Sequence, residues 1–230
     1  MEDEGEGACP AGIRRVVSRR AAAVIGPPLL AVLGIARPGV PAAREALGGP
    51  VRFRIMRAGS AIGTHTVTLE TAPGGDGRVA RSVVDVAVRI AGILVYRYRH
   101  RFAETWSAEG RLLAVTSFLD RNGSTATLEG RAEADGFALN GPDGAARLPA
   151  EAAPLTWWNP AIFRRPLLFD PRTGRALRLR VERRDRPGGG FVIEVSGDSD
   201  GIATYDAAGR WVAHALTGDD GSTVTYERIG

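Results

Sequence analysis

Hydrophobic and polar positions alternate with a period of two along most of this chain. Val51, Phe53 and Ile55 alternate with arginines, and a turn at Ala58-Gly59-Ser60 leads into Ile62–Glu70. After a Gly-rich loop at 73–77, Val84, Val86, Val88 and Ile90 mark one face of a long strand over Val79–Ile90. Gly92 is expected to bend or bulge the chain before a strand resumes over Ile93–Trp106. Three prolines break the pattern over Ala150–Phe169, and Asp170-Pro171-Arg172-Thr173-Gly174 reads as a turn. Ala176–Val181, Gly190–Val195 and Gly201–Tyr205 continue the strands. No segment beyond the first forty residues has an apolar period of 3.6.

An internal repeat sharpens this picture. Thr105–Ala114 followed by Asn122–Glu129 matches Thr204–Ala213 followed by Asp220–Glu227 with one single-residue gap. Each copy predicts a three-strand meander with a first turn at Ala-x-Gly-Arg and a second at Asn122-Gly123 or Asp220-Gly221. About a dozen antiparallel strands are many for a flat sheet. The expected fold is therefore all-β: a curved antiparallel meander sheet closing into an open or up-and-down barrel.

The N-terminus has a different composition. Arg14, Arg15, Arg19 and Arg20 precede an apolar run, Ala21–Ala36, and the small residues of Val40-Pro41-Ala42. This is the layout of a signal peptide over 1–42, with the mature chain starting near Ala43 and forming a single β domain over 43–230. The run is shorter than a spanning helix and contains Pro27-Pro28. Ser18-Arg19-Arg20 resembles the twin-arginine export motif, although the Phe, Leu and Lys positions of that motif are absent, so the general secretion route stays open. The expected location is periplasmic or otherwise extracytoplasmic, with membrane contact only during export. Cys9 is the one cysteine and precedes the apolar run. Disulfides, thiol catalysis and cysteine-ligated metals are thereby excluded from the mature chain.

Composition adds little about chemistry. With the five arginines and four acids of residues 1–42 set aside, 25 Arg face 22 Asp plus Glu, and there is no lysine. The charges are mixed rather than blocked, so no nucleic-acid partner is expected.

Phe53–His65, Ala91–His100 and Trp157-Trp158-Asn159-Pro160 resemble the exported bacterial domain of unknown function 6134 family over most of residues 51–229. The resemblance implies export and a β fold, and no activity.

Candidate chemistry concentrates in two places. Tyr96, Tyr98 and His100 share one strand face with Phe102, while Arg97, Arg99 and Arg101 share the other. The aromatic stripe is either packed core or one wall of a ligand cavity. Trp157 and Trp158, with Asn159, sit in the irregular segment and either plug the core or edge the cavity. No pair among His65, His100 and His214 has metal-ligand spacing, and no Gly-x-Ser-x-Gly occurs, so no metal or cofactor is expected. The leading expectation is a carrier of an apolar or amphiphilic small molecule such as a lipid. The alternatives are an envelope interaction module, or an enzyme pairing His100 or His65 with Glu104 or Asp85.

Overall fold

The alternating segments fold as strands in the computed structural model, which describes residues 49–218 and 220–229. In β1 (Val51–Arg57), Phe53 and Ile55 are buried while Arg52 and Arg54 are exposed. In β13 (Phe191–Gly197), Phe191, Ile193 and Val195 are buried in the same way. The main sheet also contains β2 (Ser60–Thr71), β3 (Arg78–Ile90), β4 (Ile93–Trp106), β5 (Leu112–Arg121), β6 (Ser124–Glu133), β7 (Gly136–Gly141) and β8 (Gly144–Leu148). From the C-terminal half it takes β12 (Leu179–Asp185), β14 (Gly201–Tyr205), β15 (Trp211–Thr217) and β16 (Thr223–Arg228). Its order is β12-β13-β14-β15-β16-β1-β2-β3-β4-β5-β6-β7-β8, a meander in which the first and last strands meet at β1–β16. Residues 1–42, which carry the expected signal peptide, lie outside the described residues. All described residues belong to one compact unit, 42–230.

The 13-stranded sheet stays open, with β12 and β8 as its edges. The chain between those edges makes a small second sheet of β9 (Ala153–Pro154), β10 (Leu168–Phe169) and β11 (Ala176–Leu177), in which β9 and β10 run parallel. A short 3₁₀ helix at Pro160–Arg164 lies between β9 and β10. This crossing segment proves that the main sheet is curved. Trp158 Nε1 donates to Glu104 on β4 at 2.9 Å, and the adjacent Trp157 carbonyl accepts from Tyr205 Oη on β14 at 2.8 Å. β14 and β4 are six strand steps apart, about 29 Å on a flat sheet. Two neighbouring residues cannot bridge that gap, so the sheet curls around the segment. Trp158, Phe163 and Leu179 accordingly pack against both core clusters, one centred on Phe102, Leu128 and Phe137, the other on Phe53, Tyr205 and Trp211.

The repeat is realised in three dimensions. Thr105 pairs with Ala114 and Trp106 with Leu112, leaving Leu113 as the extra residue of a bulge. Thr204 pairs with Ala213 and Tyr205 with Trp211, leaving Val212 in the same role. The preceding turns have matching bonds: Ser107 N–H to Arg111 O and Gly110 N–H to Ser107 O, then Asp206 N–H to Arg210 O and Gly209 N–H to Asp206 O. The tips differ. Asn122 and Gly123 form a two-residue turn with φ of 53° and 88°, whereas residues 219–221 intervene between the Gly218–Ser222 backbone pair. The second copy is nevertheless one residue shorter overall, so the gap in the repeat lies in the strand before the tip and not in the tip itself.

One sequence expectation is corrected. Gly92 does not bend a continuing strand. Ala91 and Gly92 both take positive φ, 48° and 83°, and reverse the chain so that β3 and β4 pair from Ile90–Ile93 to Arg78–Trp106. The geometry is that of an Asn-Gly hairpin turn, with alanine in the strained first position.

Candidate functional site

Inward-facing positions converge from distant parts of the chain because the meander is nearly in register across the curl. One row of neighbours runs Tyr98, Val86, Gly63, Ile55, Tyr226, His214 and Ala203, from β4 to β14. The adjacent row carries His100, Val84, His65 and Phe53. The curl wraps a half-open cavity of about 650 Å³ along these rows, within the roughly 300–1,000 Å³ range of small-molecule sites. Val84, Val86, Val88, Tyr96 and Tyr98 make one apolar wall, and Trp157, Trp158, Trp211 and Tyr226 lie across from it. Its rim is formed by hairpin tips at one end of the sheet, where Arg57, Arg121 and Asp220 lie and Arg57 contacts Asp220.

All three histidines reach this cavity. His65 stacks edge-on against Trp211 and Tyr226, and His214 lies 4.2 Å from the Trp157 ring. Burial pulls His65 down to about 3, with the nearby His100 adding to the shift. Burial does the same to His214, to about 3, and to His100, to about 4, where Arg172 contributes. The rings are therefore neutral near pH 7. His214 Nδ1 must carry its proton, because its partner at 3.0 Å is the Ile202 carbonyl, which can only accept. Nε2 of His214 is then an acceptor. It is buried without a protein partner among the described residues, and so are both ring nitrogens of His65. Burial also pushes the Tyr98 hydroxyl up to about 12, so that it remains protonated.

A buried carboxylate fixes the Trp wall. Glu104 accepts from Trp106 Nε1 and Trp158 Nε1, each at 2.9 Å, and burial pushes it up to about 7. On the other side, the Trp157 ring fills the space above Gly201, where an added Cβ would lie 3.0 Å from it. Asp170 and Arg172 form a forked pair on the cavity wall, with contacts of 2.9 and 2.8 Å. Burial alone would raise Asp170, but the bonds and charge of Arg172 outweigh it and hold the carboxyl low.

The cavity brings Tyr96, Tyr98, His100, Trp157 and Trp158 together. Asn159 lies apart from its lining. Its Oδ1 accepts from Ala161 N–H at 3.1 Å and caps the 3₁₀ helix. The histidine–carboxylate pairs considered from sequence are not formed. Glu104 gives its oxygens to tryptophans, and Asp85 faces Arg99 at 3.6 Å. His100 Nε2 instead lies 2.9 Å from Ser117 Oγ, and Ser117 sits within β5 rather than on an exposed turn. Among the described residues no three His, Cys, Asp or Glu side chains could hold a metal ion together. His214, Tyr226 and Trp211 were not singled out in sequence as neighbours of His65, because only the non-local β1–β16 pairing brings them beside it. The repeat offered one signal, since it aligns Trp211 with the buried Leu112.

The family profile of a domain of unknown function, DUF6134, matches residues 53–229, nearly every strand that builds this cavity. The chain belongs to the DUF6134 family. No curated protein matches it. A solved structure similar to this DUF6134 chain is a β-barrel-like protein of domain of unknown function DUF1849 from Brucella abortus. It shares 9% identity, with 78% of this chain and 94% of that chain covered, at a TM-score of 0.53. At that identity the likeness shows a shared β-barrel-like fold, and the DUF6134 site stands on its own geometry.

Proposed function

We propose that this DUF6134 protein binds an amphiphilic molecule, its apolar part between the valine-tyrosine wall and the tryptophans. The supporting observation is the cavity itself: about 650 Å³, with six valines, three tyrosines and three tryptophans in its lining and three neutral imidazoles among its buried polar groups. A desolvated neutral histidine favours a hydroxyl or protonated carboxyl over an ion. The unpartnered nitrogens of His65 and His214 are one donor and two acceptors, buried just behind the cavity surface, and such a group reaches them as the Trp211 and Trp157 rings beside them shift. Action outside the cytoplasm belongs to the same reading, supported by the leader-like residues 1–42 and the cysteine-free remainder.

The test is titration with a fluorescent fatty acid, comparing wild type with Val88→Trp, which fills the cavity from its wall. Saturable one-to-one binding, lost in a folded Val88→Trp variant, is expected. A folded wild type that takes up no probe would refute amphiphile binding.

A further inference from the structure

The β3–β4 hairpin overhangs its neighbours. β2 pairs with β3 as far as Val86, and β5 pairs with β4 as far as Tyr98, so residues 88–96 extend beyond both. The tip is apolar and bare: Ile90 is 65% exposed, Ile93 68%, Leu94 42% and Val95 49%. Large aliphatic side chains grouped on one exposed turn mark a contact surface. Along the hairpin itself, the charge nearest the tip is of one sign. No acid occurs between Val86 and Ala103, whereas Arg89, Arg97, Arg99 and Arg101 all lie there. Arg99 faces Asp85, but neither Arg89 nor Arg97 has an ion pair among the described residues. Arg89 Nη1 donates to the Gly92 carbonyl at 3.1 Å, which holds its charge beside the turn.

We propose that this hairpin tip docks the protein on an anionic lipid bilayer. The aliphatic tip suits the boundary between headgroups and acyl chains, and the arginines behind it suit lipid phosphates. A protein partner offering an acidic groove would meet the same charge but has no other support. No helix among the described residues is long and apolar enough to cross a membrane; the contact proposed is a peripheral one made by the tip. Ile90 and Val95 also line the cavity, so docking brings its rim to the bilayer. This last point rests on the amphiphile reading; docking itself does not. It extends membrane contact beyond export.

The experiment is flotation of the folded protein with vesicles of phosphatidylcholine alone or of equal parts phosphatidylcholine and phosphatidylglycerol. Wild type should bind the anionic vesicles, and salt should weaken that binding. Ile93→Glu/Leu94→Glu should reduce it at least tenfold, and Arg89→Gln/Arg97→Gln should reduce it on anionic vesicles only. Arg89, Ile93 and Leu94 are on the overhang and Arg97 stands at its base, and circular dichroism should show the same fold. The proposal is overturned if wild type does not float, if the Glu variant floats equally, or if the Glu variant instead abolishes self-association in a protein that ignores vesicles. Fatty-acid uptake by the Glu variant in vesicle-free solution separates the two readings. Retained uptake with lost flotation supports docking, and lost uptake in wild type leaves the flotation result to decide docking alone.

Discussion

Glu104 carries more of the structure than its place in an arginine-rich strand suggests. It is fully buried and balances two indole N–H donors rather than a cation. Glu104→Gln replaces one acceptor with a donor, so one indole loses its partner, and a cost of about 1–3 kcal/mol is expected. Glu104→Ala removes both acceptors and leaves space, and about 3–5 kcal/mol is expected. Urea unfolding measures both. The histidines make a separate prediction with a definite sign. Each is pulled below its ordinary 6.5, so the folded state holds fewer protons and stability falls as pH falls from 6.5 toward about 4 for His100 and about 3 for His65 and His214. Glu104 is raised from 4.5 to about 7, so its contribution is full below 4.5 and is lost as pH rises to about 7. Three sites outweigh one between pH 4.5 and 6.5. The melting temperature should therefore drop from pH 7 to pH 5, and His65→Gln/His214→Gln should flatten that drop. An unchanged acid limb in the double variant would contradict the neutral-histidine cavity.

At the scale of elements, the strands that obey simple alternation were legible, and so were turns with recognisable chemistry. The Phe53/Ile55 strand, the Asn122-Gly123 tip and the paired Ala-x-Gly-Arg turns all stand where the alternation put them. The Ala91-Gly92 reversal was not legible, because alanine rarely holds a φ of 48° and the valine-rich run reads straight through it. β7 and β8 escaped notice as short strands joined by a small tip. The Tyr96-Tyr98-His100 stripe was visible as a face. Which of its two readings applied depended on what lay opposite, and that is set by the crossing segment. Gly201→Ala tests this segment directly. Its methyl would press on the Trp157 ring and His214, both at 3.0 Å. About 1–3 kcal/mol of destabilisation is expected, together with altered Trp157 fluorescence.

For the whole molecule, the pairing that matters most is the least local one. β1 and β16 join the two halves of the sheet, with Phe53 opposite Arg228 and Ile229 N–H bonded to Arg52 O. Every other neighbour in the main sheet is a sequential hairpin. A circular permutant that links residue 229 to residue 50 and opens within the exposed 186–190 turn should keep the fold and melt cooperatively. Deleting residues 223–229 should abolish cooperative unfolding, because the curl is split at its middle. Gathering three histidines and three tryptophans around one space also belongs to this scale, which explains why their sequence spacing carried no site signal. Amphiphile binding is read most directly by native mass spectrometry of protein purified from its own host, before and after a fatty acid is added. Wild type should carry a bound amphiphile or take up one equivalent, and folded Val88→Trp should do neither. Bare protein mass in wild type under both conditions would contradict amphiphile binding.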